Sequence, residues 1–253
     1  MTDFAQIAPP PPSPRCEIAR GDSLVVLGCV PSGSCDMLLT DPPYCSGGAT
    51  RTDRKASTSS KYQANDAAVK FADFPGDARD ERSFVRWSAM WMAECWRILR
   101  PGASAVVFSD WRQLANTCDA LQIAGFVFRG IVPWIKTSAR PQPNSYRTDC
   151  EFAAWATKGP IDRRPTPDAK YLPGCYKYGA PSSKDRKHAT QKPVALMRDL
   201  MAIAPEGGTI LDPFMGSGST GIACAETGRS FIGIEMSEHY HAVARERLSR
   251  AFW

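Results

Sequence analysis

"LDPFMGSGSTG", residues 211–221, sets an acid, a Pro-Phe pair and three spaced glycines between two apolar segments. The stretch TILDPF at 209–214 has the make-up of a short buried strand that closes on Asp212. A helix is predicted from about Ser219 to Thr227, then a strand SFIGIE at 230–235 that closes on Glu235, then a last helix from Ser237. Gly216, Gly218 and Gly221 have GxGxxG spacing, with Glu235 near the position of a ribose-binding acid. Strand, glycine turn, helix and strand form one βαβ unit of a parallel sheet, whose ligands sit outside the carboxyl ends of the strands. Any tight strand-to-helix turn with positive φ also asks for glycine, so the spacing alone names no ligand.

Working outward, short apolar runs alternate with helical patterns. Strands are predicted at CEIAR (16–20), CDMLLT (35–40), ASAVVFS (103–109), FVFRGIVPW (126–134) and CEFAAWAT (150–157). Helices are predicted at 80–99, ended by Pro101-Gly102, at 111–124 and at 193–204, with a further helix cap at Asp22 or Ser23. Together with the two strands around the glycine turn, the expected fold is α/β: a seven-stranded, mostly parallel sheet with helices on both faces, Rossmann-like. Asp41, Asp212 and Glu235 each close a strand and therefore share one rim of that sheet.

The 253 residues suffice for one such domain, and no apolar run reaches the ~18 residues of a membrane span. Residues 1–15 are a proline-rich lead-in of the disordered or extended kind, without the basic start and apolar core of a secretory signal. Nine cysteines, an odd number with no CxxC pair, point to reduced thiols in the cytoplasm and to no metal site. His188, His239 and His241 have no metal-ligating company in the sequence. Residues 16–253 then form a single domain with a polar mobile loop at about 45–80 and a small insert at about 136–190.

The acids limit the ligand. A carboxylate at Asp212, just before the glycines, would repel the diphosphate of a nicotinamide cofactor, and no Lys follows the glycines to make a P-loop. It suits S-adenosylmethionine, which carries an ammonium and a sulfonium. Glu235 can take the ribose hydroxyls, and the adenine can lie against Met236 and Ile234. A nicotinamide oxidoreductase remains the rival. At the second strand end, TDPPY (40–44) follows an apolar run. Asp41 and the carbonyl of Pro42, aimed by the fixed φ of Pro42 and Pro43, can accept hydrogen bonds from an exocyclic amine and favour its pyramidal form. Tyr44 offers a ring for a planar base. A duplex substrate then requires base flipping.

TDPPY followed by LDPFMGSGSTG, in that order, resembles the beta group of DNA amino-methyltransferases, over about residues 16–250. The resemblance implies the methyltransferase form of the fold with a circularly permuted motif order: catalytic motif, recognition region, cofactor loop. ARGDS (19–23) resembles the element whose acid touches the cofactor adenine, here Asp22. HATQKPVALMRDLM (188–201) resembles the segment beside the cofactor's methionine end, with Gln191, Lys192 and Pro193 matching. EFAAWATKG (151–159) resembles the strand beside the target-base pocket.

The implied activity is methyl transfer from S-adenosylmethionine to N6 of adenine in double-stranded DNA, as in restriction–modification or orphan methyltransferases. DPPY in this group goes mostly with adenine and SPPY with cytosine N4, which is the alternative. No Pro-Cys dipeptide is present for attack on cytosine carbon 5. A catalytically dead DNA-binding module would leave Asp41 to Tyr44 without a role.

The expected catalytic residues are Asp41, Pro42, Pro43 and Tyr44. The expected cofactor contacts are Asp22, Asp41, Lys192, Asp212, Pro213, Phe214, Gly216, Gly218, Thr220, Glu235 and Met236. Between 136 and 192 twelve Lys or Arg face five acids, a net +7, so the rest of the chain carries −2 of the total +5. A basic insert on a slightly acidic body suits a polyanion, and a solvated surface loop explains it equally. The DNA-contact candidates are Lys136, Arg140, Arg147, Arg163, Arg164, Lys184, Arg186 and Lys187. Trp87, Trp91 and Trp96 have near-helical spacing and are expected in the core or at a homodimer interface, and Trp134 and Trp155 in strand packing.

Overall fold

The computed structural model describes residues 13–44, 80–139, 141, 143–161, 164, 169–179 and 191–252. The chain enters through β1 (Cys16–Arg20), the single turn α1 (Ser23–Val26) and β2 (Cys35–Thr40). Helix α2 (Glu81–Ile98) leads into β3 (Leu99–Ser109), and α3 (Leu114–Ile123) into β4 (Val127–Lys136), followed by β5 (Cys150–Thr157) and β6 (Tyr176–Tyr178). The last part runs α4 (Val194–Leu200), β7 (Thr209–Asp212), α5 (Ser219–Glu226), β8 (Ser230–Glu235) and α6 (Glu238–Phe252). The expected lead-in falls almost wholly, and the loop at about 45–80 wholly, outside the described residues apart from Asp80.

Among the described residues eight strands join in one sheet, in the order β1-β8-β7-β2-β3-β5-β4-β6. Pairing is parallel from β1 to β3, β5 runs antiparallel to both its neighbours, and β6 is parallel to β4. The expected seven strands are therefore corrected to eight. The additional one, β6, is three residues in a Pro-, Gly- and Lys-rich stretch, too short to show a period. Its place is fixed by side chains: Trp134 Nε1 donates to the Tyr178 carbonyl at 3.0 Å, and the Tyr178 hydroxyl donates to Asp199.

All six residues of β2 are buried, as expected of a central strand covered on both faces. Successive side chains feed two cores. Met37 and Leu39 join Leu196, Met197 and Leu200 of α4, Ala223 of α5 and Leu248 of α6. Leu38 joins Trp91, Met92 and Cys95 of α2 and Ala120 and Leu121 of α3. The alternation of strand side chains thus assigns α4, α5 and α6 to one face and α2 and α3, with the short α1, to the other.

Helix α2 begins where the Asp80 carboxylate caps it, accepting from Ser83 N at 2.8 Å. It does not wait for Pro101-Gly102 to end. Leu99 already turns extended (φ −70°, ψ 150°), and Pro101 and Gly102 lie within β3, where the β2 register shifts. From β2 the chain proceeds to β3 on one side, and from β7 to β8 on the other. The adjacent β2–β7 pair is therefore a topological switch point, and its carboxyl ends frame the crevice where such sheets hold ligands.

Candidate active site

Asp41 and Asp212 close the two strands of the switch point, which pair through Met37–Ile210 and Leu38–Leu211. Asp212 is 2% exposed. Its Oδ1 accepts from the Thr40 hydroxyl at 2.7 Å and from Phe214 N at 3.1 Å, and its Oδ2 from the Thr220 hydroxyl at 2.5 Å. Burial pushes its carboxyl up to about 6, against those hydrogen bonds. Asp212 and Thr220, both expected beside the cofactor, thus tie the end of β2 to the start of α5 from inside.

The glycine turn follows the expected form. Gly216 and Gly218 take positive φ (52° and 82°), which their lack of a Cβ permits. The turn is clamped from two sides. Glu235 accepts from Gly216 N at 3.0 Å and from Ser237 N at 2.7 Å, and burial raises its carboxyl above the ordinary value. Arg247 of α6 donates to the Ser217 carbonyl and, at 3.1 Å, to the Ser217 hydroxyl. Ser23 donates to the Pro213 carbonyl at 2.5 Å.

These residues fit S-adenosylmethionine. A Cβ built at Gly216 would meet nothing within 4 Å, so open space lies against the turn's backbone. A carboxylate has about four acceptor positions, so Glu235 keeps capacity for ribose hydroxyls beside the two amides it holds. Asp22 lies next to it, because β1 pairs with β8 up to Arg20–Glu235 and Gly21 N donates to the Glu235 carbonyl at 3.0 Å. Asp22 also caps α1, accepting from Leu24 N at 3.0 Å. Met236 is exposed at the same rim. Ile234, expected against the adenine, is only 1% exposed and belongs to the core of the α2 face, so the neighbouring Met236 is the apolar contact that remains. Phe214 points into an aromatic cluster, 5.5 Å from Trp87 and 5.0 Å from Trp91 between ring centroids. That contact places Trp87 and Trp91 in packing, while Trp96 lies at the surface under the Lys158 ammonium, 4.2 Å from its ring centroid.

The second half of the site is a line of alternating charges. The Lys192 ammonium lies 2.5 Å from Asp41 Oδ2 and 3.0 Å from Glu151 Oε2, and Lys136 lies 2.5 Å from Glu151 Oε1. The Tyr44 hydroxyl donates to Asp41 Oδ1. Phe108 and Trp134 wall the ammonium, 5.0 and 6.0 Å from their ring centroids. Burial alone would neutralise Lys192, but Asp41 and Glu151 outweigh it and raise its basicity above the ordinary value. Burial likewise opposes ionisation of Glu151, and Lys192 and Lys136 hold it below the ordinary range. Burial lifts the Asp41 carboxyl, with Lys192 opposing. Burial and the Asp41 charge hold the Tyr44 phenol well above its ordinary value, so it is a donor at neutral pH.

The structure brings Asp41, Tyr44 and Lys192 together, and Lys192, expected beside the cofactor, meets Asp41 directly. Glu151 was not among the expected site residues. Its signal was an acid opening the strand that resembles the base-pocket strand. Lys136, expected at DNA, is engaged by Glu151. Arg147 and Arg164 are exposed, while Arg140, Arg163, Lys184, Arg186 and Lys187 lie outside the described residues, as does His188. Among the described residues no group of three His, Cys, Asp or Glu is placed to hold a metal ion, and no helix is long and apolar enough to cross a membrane.

With this geometry in place, comparison with known proteins gives a consistent result. The DNA methylase model N6_N4_Mtase matches residues 35–246. The YubD protein of Escherichia coli (strain K12) is 30% identical over 232 residues, covering 91% of this chain and 88% of its own length. Among solved structures, the M1.HpyAVI–SAM complex superposes with a TM-score of 0.66 at 27% identity, over 92% of this chain and 98% of that one. The cytosine-N4-specific PvuII DNA methyltransferase reaches a TM-score of 0.67 at 17% identity, over 95% and 92%, a likeness of fold alone.

Proposed function

Because this chain belongs to the N6/N4 DNA methylase family, we propose that it methylates the N6 amino group of adenine in double-stranded DNA, with S-adenosylmethionine as donor. The observation that carries the reading is the Asp41 carboxylate. It stands at the switch point with one oxygen fixed by Lys192 and the other on the exchangeable hydroxyl of Tyr44.

The open side of Gly216, Glu235 and Asp22 would hold the cofactor. Bound there, S-adenosylmethionine supplies an electrophilic methyl group on a sulfonium. The chain's own residues prepare the nucleophile. An amino nitrogen conjugated into a base has little free lone pair. Asp41 Oδ1 and the Pro42 carbonyl accept its two hydrogens and favour the pyramidal form, whose lone pair is available. For this the Tyr44 hydroxyl leaves Oδ1 and its ring takes the face of the flipped base. The nitrogen that gains a methyl group releases a proton. Asp41 is the nearest acceptor, and burial makes its carboxylate more basic than usual.

Adenine and cytosine present the same amine beside a ring acceptor, so the acceptor pair serves both. The aspartate of DPPY favours adenine. The basic segment at about 136–190 is the proposed target-recognition part of a single catalytic domain. Incubation with labelled S-adenosylmethionine and DNA, followed by nucleoside analysis, tests the reading. N6-methyladenine is expected. N4-methylcytosine would move the target base, and an unmodified duplex would overturn the function.

A further inference from the structure

The two lysines that bound the basic segment, Lys136 and Lys192, meet on one carboxylate. Lys136 ends β4, and its N–H donates to the Asp149 carbonyl at 2.6 Å. Trp134 pairs with Glu151, so Lys136 and Glu151 are diagonal neighbours on one face of the β4–β5 ladder. Lys192 arrives from the other end, just before α4. Resting on the proposed methyl transfer, we infer that Glu151 is a positioning residue: it holds the Lys192 ammonium against Asp41 Oδ2 and so reserves Oδ1 for the target amine.

A buried ammonium needs anions on more than one side, and Lys192 is only 5% exposed. With Glu151 present, the ammonium donates to Asp41 Oδ2 at 2.5 Å and to the Tyr44 hydroxyl at 3.1 Å, and Glu151 Oε2 faces it as an ion pair at 3.0 Å. Without that second anion, Asp41 is the one carboxylate left to it among the described residues, and the ammonium would close on both Asp41 oxygens. Oδ1 would then be occupied by a cation instead of by a hydroxyl that can leave. Lys136 holds Glu151 Oε1 at 2.5 Å and keeps Oε2 turned inward. The same carboxylate ties both roots of the recognition segment to the reacting centre.

Glu151→Gln keeps the shape and removes the charge. In single-turnover experiments with saturating S-adenosylmethionine and DNA, its methylation rate should fall roughly tenfold to a hundredfold, the scale of a misplaced reacting group. Binding of both partners should stay at the parental values, while the thermal midpoint falls because the buried Lys192 ammonium loses one of its anions. Glu151→Asp, which restores the charge on a shorter arm, should lie between Gln and parent. Lys136→Met, at the outer end of the line, should lose less than Glu151→Gln in the same direction. A parental rate in Glu151→Gln overturns the inference, and so does a loss matched by equal loss of S-adenosylmethionine or DNA binding. Should Glu151→Gln not fold, Lys136→Met decides: a reduced rate with intact binding supports the inference, and a parental rate overturns it. The parent is assayed first. Its failure to methylate either base would overturn the proposed function, whereas an active parent with an equally active Glu151→Gln overturns the inference alone.

Discussion

Asp41 has two carboxylate oxygens, and in the folded chain each already has a donor: Lys192 on Oδ2 and Tyr44 on Oδ1. The two donors differ in what a substrate can do to them. Removing an ammonium from a carboxylate inside protein costs much more than rotating a phenol away, so the amine competes for Oδ1. Asp41→Ala should lower the single-turnover rate by on the order of 10²-fold or more, the loss of one preorganised electrostatic partner. Tyr44→Ala should impair both rate and capture of the base. Tyr44→Phe keeps the ring and removes the competing hydroxyl, so it should methylate at close to the parental rate. A Tyr44→Phe rate as low as that of Tyr44→Ala would give the hydroxyl a chemical task. With 2-aminopurine at the target base, fluorescence should rise on binding to the parent and to Tyr44→Phe.

At the scale of elements, the β2–β7 pair and helix α5 are joined by a buried acid that is costly when charged. The Asp212 carboxyl titrates at about 6 when folded and near the ordinary 3.8 when unfolded. Between those values the folded chain holds a proton that the unfolded chain has lost. Raising the pH through this window therefore removes stability, on the order of 3 kcal/mol when titration is complete. Asp212→Asn keeps the shape, and the Thr40 and Thr220 hydroxyls can turn to suit an amide. The variant should thus gain on the parent as pH rises from 4 to 7, measured by denaturant unfolding. Parallel curves would mean that the aspartate is not the titrating group.

Helix α5 also depends on Gly221. A Cβ there would stand 2.5 Å from Leu248 Cδ2 and 2.9 Å from the Phe231 ring. Gly221→Ala should cost roughly 1–3 kcal/mol of stability by overpacking, read as a lower thermal midpoint. The spacing of the three glycines was legible in the sequence, but their separate tasks were not. The third holds helix to sheet, and that follows only from where Phe231 and Leu248 fall. Strand β6 was illegible for a related reason: three residues carry no period, and its register comes from Trp134 and Asp199, which are distant in sequence.

For the whole molecule, the rim of Asp41, Asp212 and Glu235 could be read from the chain because each acid ends an apolar run, and the topology does bring those strand ends together. The charge line could not, because it needs the β4–β5 register and the return of the chain at Lys192. The same register changes the meaning of the basic segment. Lys136 and Lys192 are held by Glu151, Lys158 donates to the Leu99 carbonyl at 2.7 Å, and Lys170 to the Ala202 and Ala204 carbonyls at 2.8 and 2.7 Å. A charge count treats these four as free for phosphate, while the structure gives each an internal partner. Arg147, exposed in the connection between β4 and β5, is a different case. Each phosphate contact releases counterions, so the salt dependence of DNA binding counts the contacts that matter. Arg147→Ala should weaken binding to all sequences alike and reduce the slope of log K against log salt by about 1. Lys170→Ala should leave that slope unchanged and lower the thermal midpoint instead, because it uncaps the turn after α4. Anisotropy titrations of labelled duplex from low to high salt, with a melting curve for each variant, separate the two outcomes. A Lys170→Ala slope that falls as far as that of Arg147→Ala would return this lysine to the DNA surface.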